Sequence, residues 1–159
     1  MVDRDYPFHP YPIGWYQVAY SDEVKPGDVV ALRYFGRDLV LFRGEDGVAS
    51  AMDAYCPHLG ANLGHGGRVD NNCIRCPFHN WAFDAHGKCT DVPYAKKIPA
   101  KAAVATWPMV ERNNQIMVWQ HPHGLAPQWE LPVLDEIGHE DWSSDTRREW
   151  KVRTRNQEM

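Results

Sequence analysis

Two cysteine–histidine pairs constrain this chain more than any other feature: Cys56-Pro57-His58-Leu59-Gly60 and Cys76-Pro77-Phe78-His79. Together they read C-x-H-x17-C-x2-H. Thiolate and imidazole are metal ligands, so the pattern asks the fold to end two loops at one place. Proline follows both cysteines, and Gly60, Gly64, Gly66 and Gly67 cluster near the first pair, as expected where backbone passes close to a bulky inorganic group. Two metal chemistries use this inventory. A tetrahedral structural zinc takes all four ligands on one ion. A [2Fe–2S] centre of mixed ligation takes two thiolates on one iron and two imidazoles on the other. Zinc modules usually pair like with like, and C-x-H combined with C-x2-H matches neither ribbon nor finger. The iron–sulfur reading is therefore favoured, with zinc kept as the alternative. A Cys73-x-x-Cys76 redox dithiol is a third reading, but it leaves both histidines unexplained.

The apolar runs are short and separated by turn chemistry. Trp15 to Tyr20, Val29 to Tyr34, Leu39 to Arg43 and Val48 to Met52 read as strands. So do Cys73 to Arg75, Trp81 to Phe83, Ala102 to Trp107 and Ile116 to Trp119. Gly36-Arg37 is expected as a two-residue hairpin turn, and Glu45-Asp46-Gly47 closes the next hairpin. Asp70-Asn71-Asn72 and Asn113-Asn114 read as tight turns, because Asn tolerates left-handed backbone angles. No segment up to residue 120 carries a sustained helical period. The expectation is an all-β sandwich with a small cluster-binding subdomain, the ligands held between two loops at one end. Trp81 and Phe83 alternate with small or polar neighbours, so Trp81 is read as a core aromatic rather than an electron relay.

Composition narrows the function classes. The 159 residues suffice for one domain with a single core. A net charge of −4 and a pI near 6.0 give no basic surface for nucleic acid. No apolar run is long enough to span a membrane, and Met1 to Pro7 lacks the apolar stretch of a signal peptide. Four cysteines in this setting fit a reducing, cytoplasmic location. Cys73 and Cys89, outside the pairs, read as buried small hydrophobes. His9, His65, His86, His139 and the pair His121 and His123 read as solvated loop histidines.

The flanks carry a family resemblance. Tyr55-Cys56-Pro57-His58-Leu59-Gly60-Ala61-Asn62-Leu63, followed by Cys76-Pro77-Phe78-His79-Asn80-Trp81-Ala82-Phe83, resembles the N-terminal domain of Rieske non-haem iron oxygenases. Within them the chain is most similar to the sterol and ketosteroid group, the ketosteroid 9α-hydroxylases and cholesterol 7-desaturases. Pro12-Ile13-Gly14-Trp15-Tyr16 and Asp91-Val92-Pro93-Tyr94 look like that group as well. The resemblance implies a Rieske-type β-sandwich in which Cys56 and Cys76 hold a buried ferric iron, while His58 and His79 hold the outer iron that changes oxidation state. The respiratory-complex branch adds a disulfide between two further loop cysteines; the matching positions here are Ala61 and Phe78. That branch also places Gly-Ser after the second histidine, where this chain has Asn80 and Trp81. The ferredoxin and oxygenase branch fits instead, with a potential at the low end of the Rieske range.

The resemblance also implies an organisation: a Rieske domain over residues 12–121, then 122–159 as a linker and the beginning of a catalytic domain. Pro122, Pro127 and Pro132 make the stretch after His121 an extended, Pro-rich tail. Trp150 to Arg155 alternates like the first strand of another unit, and Arg155 to Met159 resembles the start of an oxygenase catalytic domain. The mononuclear non-haem iron of the family belongs to that catalytic domain, and no 2-His-1-carboxylate triad can be assembled from the residues here. The chain itself then supplies no catalytic residue and carries one electron. The implied donor is a ferredoxin or a flavin-dependent reductase, and the acceptor is the non-haem iron catalytic domain of a homotrimeric oxygenase. That oxygenase would hydroxylate or desaturate a hydrophobic, steroid-like substrate. The competing class is a free-standing Rieske ferredoxin, which would stop soon after its last core strand.

Overall fold

The run Leu39-Val40-Leu41-Phe42 has no exposed surface, because the strand that carries it is covered on both faces. The computed structural model describes residues 9–135. The expected strand at Trp150 to Arg155, the catalytic-domain start and His139 lie outside the described residues. Ten strands are present in the described part: β1 (Gly14–Tyr20), β2 (Val29–Tyr34), β3 (Arg37–Arg43), β4 (Ala49–Asp53), β5 (Arg68–Asp70), β6 (Cys73–Arg75), β7 (Ala82–Phe83), β8 (Cys89–Asp91), β9 (Met109–Arg112) and β10 (Gln115–Gln120). The one helical piece among the described residues is a single 3-10 turn, Ser21–Glu23. All strand pairs are antiparallel, in three sheets ordered β1-β10-β9, β2-β3-β4 and β5-β6-β7-β8.

The sheet containing β3 is the middle layer. Alternate side chains face opposite ways along a strand. Leu41, Ala49 and Ala51 pack with Val18, Ile116 and Val118 of the first sheet. Val40, Phe42 and Met52 pack the other way, with Leu63, Ile74, Trp81 and Phe83. Each fully buried Val, Leu or Phe contributes about 1.5–3 kcal/mol, so the 39–42 run anchors both halves. Arg43 ends this strand yet is buried. Its guanidinium forks onto both Glu111 oxygens at 2.9 Å and also donates to the carbonyls of Val24, Gly47 and Ser21.

Two expectations need correction. The turn between β2 and β3 is Phe35-Gly36 rather than Gly36-Arg37, since Tyr34 pairs with Arg37. Phe35 takes a left-handed φ of 55°, unusual for an aromatic residue, and its ring stacks on Trp107 with centroids 5.5 Å apart. Ala102 to Trp107 is extended but forms no strand. It bridges once to Lys88 through Ala103 and once to Met52 through Thr106, so it divides its bonds between two sheets instead of laddering along one. The remaining turns lie where expected, with Asn71, Asn113 and Asn114 at positive φ.

Residues 121–135 contain neither helix nor strand. Their carbonyls and rings are nonetheless held against the first sheet. Trp15 Nε1 donates to Trp129 O at 3.0 Å, Trp119 Nε1 to Leu125 O at 2.9 Å, and Arg112 to Leu131 O. The Trp129 ring meets Trp119 edge-on at 4.5 Å.

Candidate metal centre

Both ligand loops are built on the same closure. After β4, the Cys56 N–H donates to Ala61 O at 2.9 Å, and Gly60 N–H returns to Cys56 O at 2.9 Å. After β6, the Cys76 N–H donates to Trp81 O at 2.9 Å, and Asn80 N–H returns to Cys76 O at 3.1 Å. Leu63 N–H bonds to Ala54 O, and Tyr55 bridges to Asn62, which pins the first loop at its base. The second loop is the connection of the β6–β7 hairpin, whose last paired residues are Arg75 and Ala82.

The loops bring the four sequence-predicted residues together as two pairs. Cys56 and Cys76 are buried, and their thiols lie within reach of one another. Burial pushes the Cys56 thiol up to about 11, with the neighbouring Cys76 adding to the rise. The His58 and His79 rings stand edge to face, centroids 4.6 Å apart. Among the described residues, the buried side-chain nitrogen and oxygen atoms without a hydrogen-bond partner are two: His58 Nδ1 and His79 Nδ1. An orphaned buried polar atom demands an explanation, and a metal ion is one.

The donor set fits a [2Fe–2S] group. Two adjacent thiols and two adjacent imidazoles supply two donors to each of two irons. No three His, Cys, Asp or Glu side chains among the described residues converge on a single ion, whereas a structural zinc takes four. Cys73 is separated from this group: its sulfur lies 3.5 Å from Thr90 Oγ1 and is only half-buried. Cys89 is buried, and its thiol is pushed up by that burial. None of the four cysteines is in a disulfide. The His123 ring is edge-on to His9 at 5.4 Å and lies 5.9 Å from the His121 ring.

Several supporting residues were not legible from spacing. The Trp81 indole stacks on the His58 ring, centroids 4.6 Å apart and planes 10° from parallel. Its Nε1–H donates to the Tyr94 hydroxyl at 2.7 Å. Trp81 is buried, as a core aromatic should be, while also forming part of the site. Arg75, next to Cys76, pairs with Asp70 at 2.5 Å and Asp91 at 2.8 Å, and donates to Asn80 O. The hydrogen bond from Arg75 holds the Asp70 carboxyl below the usual range.

Residues 14–108 match the Rieske [2Fe-2S] domain family. The chain belongs to that family. Cholesterol 7-desaturase of Caenorhabditis elegans is 44% identical over 152 residues, covering 94% of this chain and 36% of that protein. The probable 3-ketosteroid-9-alpha-monooxygenase, oxygenase component, of Rhodococcus rhodochrous is 38% identical over 146 residues, covering 89% of this chain and 36% of that protein. Among solved structures, dicamba monooxygenase bound to dicamba superposes with a TM-score of 0.65 at 31% identity, over 75% of this chain and 35% of that one. This Rieske chain thus spans about a third of the length of the relatives it matches. Among the described residues no helix is long and apolar enough to cross a membrane.

Proposed function

We propose that Cys56 and Cys76 hold one iron of a [2Fe–2S] cluster and that His58 and His79, through Nδ1, hold the other. The observation that carries this reading is the pair of buried, unpartnered Nδ1 atoms on adjacent imidazoles beside two adjacent buried thiols. When bound, the cluster supplies a one-electron carrier. The surrounding residues orient that site: Trp81 fixes the plane of His58, and Tyr94 fixes Trp81. Leu59, Phe78 and Tyr94 are exposed around the histidines, so the apolar rim sits where a redox partner would approach.

Residues 12–121 are the electron-transfer domain in this reading, and 122–159 the linker and beginning of a catalytic domain. The electron comes from a ferredoxin or flavin-dependent reductase and passes to a non-haem iron catalytic domain within a homotrimer. The similarity to a cholesterol 7-desaturase and a ketosteroid monooxygenase favours hydroxylation or desaturation of a steroid-like substrate over a free-standing ferredoxin role. None of the four cysteines forms a disulfide, which agrees with a cytoplasmic location. Metal analysis tests the centre: two irons and two acid-labile sulfides per chain are expected, with a rhombic EPR signal on reduction. Stoichiometric zinc without sulfide would replace the cluster with a structural ion. Turnover of a sterol or ketosteroid by the oxygenase containing this domain tests the substrate class, and turnover of small aromatic acids alone overturns it.

A further inference from the structure

The two ligand loops close alike, and one position breaks the likeness. In each, the fourth residue after the cysteine takes a left-handed backbone: Gly60 at φ 74° and Asn80 at φ 58°. Glycine reaches that conformation without steric cost, whereas asparagine is tolerated under strain. The other non-glycine residues at positive φ among the described residues are Phe35, Asn71, Asn113 and Asn114, all in two-residue hairpin turns. Asn80 instead lies between His79 and Trp81, where its side chain has a distinct task. Asn80 Oδ1 accepts a hydrogen bond from Arg68 Nη1 at 2.8 Å, and Asn80 O accepts one from Arg75 Nη1 at 2.9 Å.

The two arginines differ in charge balance. Arg75 is paired with both Asp70 and Asp91, so it braces the loop without adding net positive charge. Arg68, exposed on β5, forms no ion pair among the described residues, and the Asp70 carboxylate only feels its charge at a distance. Its cation is therefore tethered, through Asn80, one residue from His79. We propose that Asn80 holds Arg68 against the histidine side of the centre, and that Arg68 thereby sets how readily the centre accepts an electron. The proposal rests on the ligand reading above. A positive charge favours the more negative, reduced form, so Arg68 raises the potential. Because Arg68 is exposed, salt screens the effect.

The test is a redox titration of the cluster-loaded full chain at low and high ionic strength, for wild type, Arg68→Gln, Arg68→Lys, Asn80→Gly and the Arg68→Gln/Asn80→Gly double variant. Iron and sulfide are measured in each. Arg68→Gln and Asn80→Gly should each lower the potential at low salt, and the double variant should fall no further than the larger single, because both cut one tether. Arg68→Lys should retain most of the wild-type potential. The shifts should shrink at high salt, which a merely structural role would not produce. An Arg68→Gln potential equal to wild type at low salt overturns the proposal, as do additive shifts. If Asn80→Gly loses its cluster, Arg68→Gln alone decides. A wild-type chain that holds no iron and sulfide refutes the ligand reading itself, a failure separate from an unmoved potential in a loaded protein.

Discussion

The Trp81 indole lies flat on the His58 imidazole, 4.6 Å between centroids, while its N–H is spent on Tyr94. One side chain from the second loop thus sets the plane of a histidine from the first. Trp81→Phe keeps a ring for the stack and loses the Tyr94 bond, at a cost of about 1 kcal/mol. Trp81→Ala removes both and should cost about 3–5 kcal/mol. Chemical denaturation measures the stabilities, and faster iron loss from Trp81→Ala than from Trp81→Phe is the companion result. Equal iron retention in the two variants would mean the stack does not hold His58.

The ligand assignment separates by chemistry. His79→Cys should still hold iron, since a thiolate can replace the imidazole, whereas Cys76→Ala should not. The added negative charge favours the oxidised form, so the His79→Cys potential should fall. An unchanged potential in an iron-loaded His79→Cys protein would remove His79 from the ligand set.

Glycines at similar φ should respond very differently. At Gly87, φ 75°, an added Cβ would sit 2.0 Å from Val104 O. At Gly47, φ 84°, it would meet nothing within 4 Å. Gly47→Ala should cost the left-handed strain alone, about 1–2 kcal/mol. Gly87→Ala adds a backbone clash and should cost roughly 3 kcal/mol or more. Thermal melts of the two variants give the comparison, and equal losses would contradict the close approach.

Acid should weaken the Arg43–Glu111 pair. The hydrogen bond from Arg43 holds the Glu111 carboxyl below its usual range, against the opposing effect of burial. A carboxylate with a lowered folded pKa stabilises the fold above the ordinary glutamate range, and that stability is lost as pH falls through the folded value. Stability followed from neutral pH downward should therefore drop more steeply in wild type than in Glu111→Gln. At neutral pH the variant should lose about 1.5 kcal/mol, the low end for a charged hydrogen bond, because Glu111 is partly exposed. Parallel curves for the two proteins would show that the pair does not titrate with folding.

Local chemistry was legible in the sequence, and convergence was not. The Cys56, His58, Cys76 and His79 quartet announced itself because each pair is only a few residues wide. Leu39 to Phe42 read as a strand, but burial on both faces depends on two other sheets arriving. Strands β5, β8 and β9 are three or four residues long, too short for a period to register. Ala102 to Trp107 has a strand-like pattern but shares its bonds between two sheets. The Phe35-Gly36 turn was missed by one residue because an aromatic at left-handed φ is held there by Trp107, Tyr16 and Tyr11. The Trp81 stack and the Arg68–Asn80 bond arise only when separate segments meet.

That shared segment has a consequence for how such a domain can be re-dressed. Val104 N–H bonds to Gly87 O at 2.8 Å, Cys89 N–H to Ala102 O at 3.0 Å, Asp53 N–H to Ala105 O at 2.8 Å, and Trp107 N–H to Ala51 O at 2.9 Å. All four bonds are main chain to main chain, so they survive side-chain replacement at every position except those, like Gly87, where a side chain cannot fit. The spacing between the β5–β8 sheet and the middle sheet is thus written in backbone, while the exposed side chains of Leu59 and Phe78 make none of these bonds. Leu59 and Phe78 could therefore be exchanged without disturbing the main-chain bonds that set how far apart the two sheets stand.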